Sequence, residues 1–181
     1  DDAVKDLTVL IFDSNGNVIG SNYGSYTIES LTSFSVSIKT RVAKGCTVYA
    51  FANVGTIIDP NFFHGLSTKS EIDNKVYTMK ADGELDTQTC LLMKGELDNF
   101  DTSTKSATPV SLQRLASKFD ITITAKNDAT NGSLPIYIDG YQLFNVPSTT
   151  SLAQASTTVP TTYHDGDKVT LRGDGNLGTE E

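Results

Sequence analysis

Residues 4–12 read VKDLTVLIF, which puts Leu7, Val9 and Ile11 on one face of an extended chain and Thr8, Leu10 and Phe12 on the other. Side chains alternate across a strand, so a segment apolar on both sides predicts a strand with both faces covered. It stops at Asp13-Ser14-Asn15-Gly16-Asn17, where the Asn-Gly pair accepts the positive φ of a tight hairpin, and Val18 and Ile19 open the return strand. Phe34 to Lys39 alternates strictly between apolar and polar and reads as a half-buried strand. Cys46 to Val54 resumes after a break at Gly45 and reads as a central strand. From Ser67 the period changes: Ile72, Val76 and Met79 recur at helical spacing behind a capping Ser or Thr, so the pattern predicts one short helix running to Met79. Strand signals return over Thr89 to Met93, and a polar loop covers Asp98 to Thr108. Val110 to Ala125 reads as one long strand, with a bulge where the spacing slips around Arg114-Leu115-Ala116. After a turn at 126–132, Leu134 to Val146 gives a last strand or hairpin, and beyond Thr170 little argues for order. Short strands separated by turns, with one short helix, predict an all-β fold, an antiparallel β-sandwich.

Composition supports that reading and narrows the partners. Thr, Val and Ile are abundant, which favours strands, and 38% hydrophobic residues suffice for a core in a chain of 181 residues. The net charge is −8, and the basic residues are scattered singly, so nucleic acid and anionic membrane surfaces are excluded as partners. No run approaches the roughly 20 apolar residues of a membrane-spanning helix, so no transmembrane segment is expected. The sequence opens on Asp1-Asp2-Ala3 without a Met or a signal-peptide pattern, which places its start after a processing step or an expression boundary. Cys46 and Cys90 have neither zinc spacing nor the numbers for a disulfide scaffold; two buried thiols are favoured over a disulfide.

Candidate chemistry is thin. His64 and His164 sit in loop contexts, and no nucleophile elbow, zinc helix or phosphate loop is present, so neither an enzyme nor a cofactor site is expected. Residues 13–17 imitate the start of a calcium loop, but Val18 stands where the turn Gly belongs, and the hairpin reading is preferred. Asp165-Gly166-Asp167 and Asp174-Gly175-Asn176 are ordinary turn chemistry. Arg172-Gly173-Asp174 spells an integrin-type tripeptide and Asn131-Gly132-Ser133 a glycosylation sequon; both read as solvated turns. The aromatic loops Asn61-Phe62-Phe63-His64 and Tyr23 to Tyr26 raise an alternative, a surface module that binds carbohydrate or another ligand.

Four ordered stretches resemble the fimbrillin family of Bacteroides-type bacteria, the major fimbrial subunits. They are Val4 to Asp13, Val48 to Gly55 with its Ala-Asn-x-Gly ending, Leu91-Leu92-Met93, and Val110 to Ile123. Tyr141 to Pro147 is similar to the segment where such proteins leave their first domain. The resemblance implies a transthyretin-like Greek-key sandwich over residues 1–147 as an amino-terminal domain, with 148–181 a linker or the stub of a second. It also implies export as a lipoprotein precursor, removal of a leading segment, and assembly with other subunits by donor-strand exchange into outer-membrane-associated surface fimbriae that support adhesion to host or bacterial ligands. Leu7, Val9 and Ile11, with Leu112, Phe119 and Ile121, are then expected to line the strand-acceptor groove.

Overall fold

The computed structural model describes residues 3–28, 35–78, 90–104, 106–116, 140–153, 163–165 and 169–170. Strands β1 (Val4–Phe12), β2 (Val18–Ile28) and β3 (Cys46–Ala52) precede helices α1 (Val54–Ile57) and α2 (Lys69–Asp73). Strands β4 (Val76–Thr78), β5 (Met93–Phe100) and β6 (Gln113–Arg114) follow. Short pieces complete the described chain: β7 (Gly140–Tyr141), β8 (Val146–Pro147), β9 (Thr149–Ser151), β10 (Tyr163–His164) and β11 (Val169–Thr170). The main sheet is antiparallel in the order β2-β1-β3-β5-β6, and three two-stranded ladders join β4 to β9, β8 to β10 and β7 to β11. The protein is all-β, as the alternation predicts.

At its central strands both faces of the main sheet are buried, because β1 and β3 are apolar on both sides. Leu7, Val9 and Ile11 stand opposite Ala52, Ala50 and Val48, and this face also carries Cys46 and Met93. The other face holds Leu10, Phe12, Tyr49 and Phe51, covered by Val54, Ile72, Tyr77, Leu92 and Leu152. There the aromatic rings meet edge to face, Phe12 with Tyr49 at 5.2 Å and Tyr49 with Phe51 at 5.8 Å, arrangements that add to the burial term.

The hairpin at residues 13–17 forms as its sequence requires. Asp13 Oδ1 accepts from the backbone N–H of Asn15 at 3.0 Å and of Asn17 at 2.9 Å, so the carboxylate that imitates a calcium ligand is spent closing the turn. These bonds, that of Asn17 first, hold its pKa below the usual carboxylate value against partial desolvation.

Four boundaries differ from the sequence reading. The helix expected from 67 to 79 stops at Asp73, and Val76–Thr78 is strand β4, because Tyr77 turns inward onto the aromatic face while β9 pairs alongside. The helical start is as expected, with a capping box in which Thr68 and Glu71 satisfy each other's backbone N–H groups. The strand expected over Phe34 to Lys39 joins no ladder among the described residues; 35–43 is an extended strap whose Val36 and Ile38 still point inward. Strand β5 begins at Met93, not Thr89, and occupies Phe100 and its predecessors, where a loop was expected, since Leu97 and Phe100 pack under the Leu7 face. Within the expected strand Val110 to Ala125 only Gln113–Arg114 is a described strand; residues 117–125 lie outside the described residues, as do Met79, the sequon and the Arg172-Gly173-Asp174 tripeptide.

Candidate strand-acceptor face

The floor of the candidate face is set by side-chain size. Leu7, Val9 and Ile11 from β1 alternate with the small Ala50 and Ala52 and with Val48 of β3, giving a shallow apolar surface buried to within 8% or less of full exclusion from solvent. Two extended segments lie over it. The strap 35–43 contributes Val36, Ile38 and Ala43, and the segment before β6 contributes Val110 and Leu112.

The strap is attached at three points. Thr40 Oγ1 donates to the Ile19 carbonyl at 2.8 Å, the Arg41 guanidinium pairs with Asp13, and Ala43 exchanges bonds with Thr102, its N–H donating to Thr102 Oγ1 at 2.7 Å and its carbonyl accepting from the Thr102 N–H at 3.0 Å. None of these is a ladder. The second segment crosses β5 at Gly95, where a Cβ would sit 2.7 Å from the Ser111 carbonyl oxygen, so only glycine permits this approach.

Of the six residues expected to line the groove, Leu7, Val9, Ile11 and Leu112 are therefore brought onto one surface, while Phe119 and Ile121 lie outside the described residues. Val48, Ala50, Ile38 and Val110 were missed. The strict alternation of 34–39 carried the signal for Ile38, and the register of β3 against β1 carried it for the others.

A buried polar cluster locks the start of β1 to the end of β3. Asn53 is fully buried in the left-handed conformation, φ 68°, and its side chain makes three bonds. Its Oδ1 accepts from Lys5 N–H at 2.7 Å, while Nδ2 donates to the carbonyls of Ala3 at 2.9 Å and Leu91 at 2.6 Å. Asp6, also buried, accepts from Gly55 N–H at 2.9 Å, Thr56 N–H at 2.6 Å and the Thr56 hydroxyl at 2.7 Å. A Cβ on Gly55 would lie 2.6 Å from the Tyr23 hydroxyl oxygen and 3.1 Å from Asp6 Cγ. The Ala-Asn-x-Gly ending of β3 is thus a joint with a physical reason for its Asn53 and for its Gly55.

On the opposite face the loop 61–64 is structural, whereas Tyr23 to Tyr26, expected as a loop, lies within strand β2. Phe63 stacks on Phe51 at 4.7 Å, Phe62 meets Phe63 edge to face at 5.1 Å, and both pack on the core. Tyr23 is 44% exposed, with its pKa raised by desolvation and then by Asp6. Around Tyr49 the hydroxyl donates to Asp73 Oδ1 at 2.8 Å, and the ammonium groups of Lys69 and Lys94 lie 5.0 and 4.6 Å from the ring centre. Burial, first of all, pushes the Tyr49 phenol up. Desolvation opposes the Lys69 charge, but the Asp73 carboxylate and the Tyr49 hydroxyl outweigh it and its pKa rises. Lys94 also pairs with Glu96 at 2.6 Å and reaches the Ala153 carbonyl.

A cleft of about 480 Å³ opens beside β5, lined by Lys94, Glu96, Ser111, Gln113, Arg114 and Leu115 among others. It contains no histidine. His64 is exposed, and among the described residues no three His, Cys, Asp or Glu side chains gather as a metal site. Cys46 and Cys90 are both buried, with no disulfide between them, and no helix among the described residues is long and apolar enough to cross a membrane.

A family model for the major fimbrial subunit protein FimA matches residues 1–171. The chain belongs to that family. The fold agrees with solved structures of similar proteins. A candidate cell adhesion protein of Parabacteroides distasonis superposes with a TM-score of 0.70 at 17% identity, covering 95% of this chain and 56% of that one. A second candidate cell adhesion protein, from Bacteroides eggerthii, gives 0.61 at 19% identity over 92% of this chain and 51% of the other. A fimbrial assembly protein of Parabacteroides distasonis gives 0.60 at 16% identity over 93% and 65%. This chain therefore spans between about half and two-thirds of the length of these three relatives. No protein with a curated description matches it.

Proposed function

We propose that this chain is a structural, non-catalytic subunit of surface fimbriae that assembles by accepting a strand from a neighbouring subunit. Membership of the fimbrial subunit family supports the subunit role, and the Leu7, Val9 and Ile11 face supports the manner of assembly. The single observation that carries the latter is the covering of this face, among the described residues, by two extended segments that join no ladder along 35–43 and 107–112. An incoming strand would displace one of these covering segments, insert alternate apolar side chains over the Leu7, Val9 and Ile11 floor in its place, and pair with the backbone of the other.

In this reading residues 1–147 form a transthyretin-like amino-terminal unit and 148–181 lead toward a second one, in a precursor exported as a lipoprotein to the outer membrane. Other fimbrial subunits are its partners, and adhesion is a property of the assembled fibre. The alternative, a carbohydrate-binding module built on Phe62, Phe63 and Tyr23, is disfavoured because both phenylalanines are committed to the core and the Tyr23 hydroxyl is packed against Gly55.

Amide hydrogen exchange on the subunit, free and in fimbriae, tests the proposal. Strand acceptance requires the amides of 35–43 or of 107–112 to gain protection on assembly, because a strand cannot be added without new backbone bonds. Equal exchange of both segments in the two states would overturn it.

A further inference from the structure

The two segments over the Leu7, Val9 and Ile11 face are fastened in different ways. Residues 107–112 run directly into β6, which pairs Gln113 with Lys94 and Arg114 with Met93, and the Leu115 N–H donates to the Leu92 carbonyl at 2.9 Å. The Ser111 carbonyl oxygen also rests against Gly95, so this cover is joined to β5 backbone on backbone. Among the described residues the strap makes no backbone–backbone bond before Ala43, whose carbonyl accepts from the Thr102 N–H at 3.0 Å. Ahead of that point two side chains hold it at the rim, the Thr40 hydroxyl on the Ile19 carbonyl and the Arg41 guanidinium on Asp13. The Arg41 side chain is 63% exposed and Val42 76%, while Val36 and Ile38 are only half buried. Exposed ion pairs and single hydrogen bonds are weak fastenings, and a segment with few buried contacts opens without the rest of the fold.

We propose that residues 35–43 are a latched cover: Thr40 and Arg41 form the latch, Ala43 is the pivot, and release of the latch opens the Leu7, Val9 and Ile11 face in the free subunit. Only what enters afterwards, a neighbour's strand pairing with 107–112, rests on the strand-acceptance reading. Val36 and Ile38 alternate with Ser35, Ser37 and Lys39, so the strap fills the face as an incoming strand would and is the cover that such a strand replaces. Its seat is Gly20, where a Cβ would lie 3.0 Å from Thr40 Cβ and 3.3 Å from Ile38 Cγ2; the missing side chain lets the strap settle against β2. Because neither latch contact is part of a ladder, the strap can swing about Ala43 and leave the main sheet intact. Until then it keeps an apolar surface out of water, where it would otherwise invite non-specific association.

The chain carries its own reporter. Cys46 is fully buried on this face; burial, first of all, raises its pKa, Asp13 and Asp101 add to this, and Arg41 opposes them. Cys90 is buried too but does not belong to this face, so it reports opening of the whole domain. The test is labelling of both cysteines in the full chain with a thiol reagent, each followed separately by mass mapping. In Thr40→Val/Arg41→Ala, Cys46 should react about tenfold faster than in the wild type and Cys90 at an unchanged rate. Loss of the Arg41 charge by itself would slow Cys46, since the guanidinium favours the reactive thiolate, so acceleration reads the latch and not the charge. Lys39→Ala, on the exposed side of the strap, should change neither rate. An unchanged Cys46, or both cysteines accelerated alike, would overturn the proposal. In assembled fimbriae, amide protection gained by 35–43 in place of 107–112 would overturn the strap as the replaced cover while strand acceptance stands. Protection gained by neither would overturn strand acceptance, and the labelling alone would then decide the latch.

Discussion

Replacing Asn53 by Ala tests the joint between β1 and β3 most sharply. The substitution removes three hydrogen bonds in a fully excluded site and orphans the Lys5 N–H and the carbonyls of Ala3 and Leu91. Each lost buried bond is worth about 1 kcal/mol, and the orphaned groups keep their desolvation cost, so this part comes to about 3 kcal/mol. The left-handed backbone at φ 68° adds about 1 kcal/mol for alanine, which asparagine tolerates and glycine avoids. The total is about 4 kcal/mol, a large share of the roughly 5–15 kcal/mol that stabilises an ordinary domain. With a urea dependence near 2 kcal/mol per molar, the unfolding midpoint should fall by about 2 M. Asn53→Gly loses the same bonds without the strain and should be about 1 kcal/mol less damaging. Urea titration followed by circular dichroism reads both. A loss below about 1 kcal/mol for the alanine variant, or glycine proving the worse of the two, would mean that neither the three bonds nor the left-handed backbone of Asn53 holds the joint.

Other consequences follow from the same geometry. Gly55→Ala forces a methyl against the Tyr23 oxygen and Asp6 Cγ and should cost about 1–3 kcal/mol by thermal melting; Tyr23→Phe in that background should return part of it, because the nearest clash is with the hydroxyl. Tyr49→Phe removes the bond to Asp73 and should cost about 1–2 kcal/mol, while spectrophotometric titration of the wild type should show one phenol that does not ionise until alkaline unfolding, as its raised pKa requires. Asp13 and Glu71 both titrate below their ordinary values, held there chiefly by the N–H groups of Asn17 and Ser67. Their stabilisation is whole above the ordinary carboxylate range and is lost as pH falls through the depressed folded-state values, so Asp13→Asn and Glu71→Gln should each flatten the acid limb of the stability curve measured by urea titration.

Much of the fold was legible because alternation is a local signal. The two-faced apolar pattern of Val4 to Phe12 led directly to β1 with both faces covered, and Asn-Gly led to the hairpin. A capping Ser or Thr near residues 67–70 was legible for the same reason, whereas the reciprocal box of Thr68 with Glu71 was not. What could not be read depends on residues distant in sequence. Val76–Thr78 follows a helical spacing, yet becomes a strand because β9, some seventy residues on, pairs with it. Residues 35–39 alternate as a strand does, but alternation reports which side chains turn inward and not whether a neighbour supplies a ladder. Leu97 and Phe100 were hidden in a polar stretch whose charges face away from the Leu7 surface. The face itself was half legible: Leu7, Val9, Ile11 and Leu112 announce themselves as apolar periodic positions, whereas Ala50 matters for being small, and smallness has no signal until β3 is set against β1. The Ala-Asn-x-Gly ending was legible only as a family pattern; its cause, the bonds of Asn53 and the space at Gly55, needed coordinates.

The central claim, that a neighbour's strand seats on the Leu7, Val9 and Ile11 face, is tested most directly by a density map of fimbriae containing this subunit. The expected map shows a strand from another chain running over that face, bonded to the backbone of 35–43 or 107–112, with alternate apolar side chains against Val48 and Ala50. A face covered in the fibre by the subunit's own chain alone, with contacts between subunits elsewhere, would contradict it.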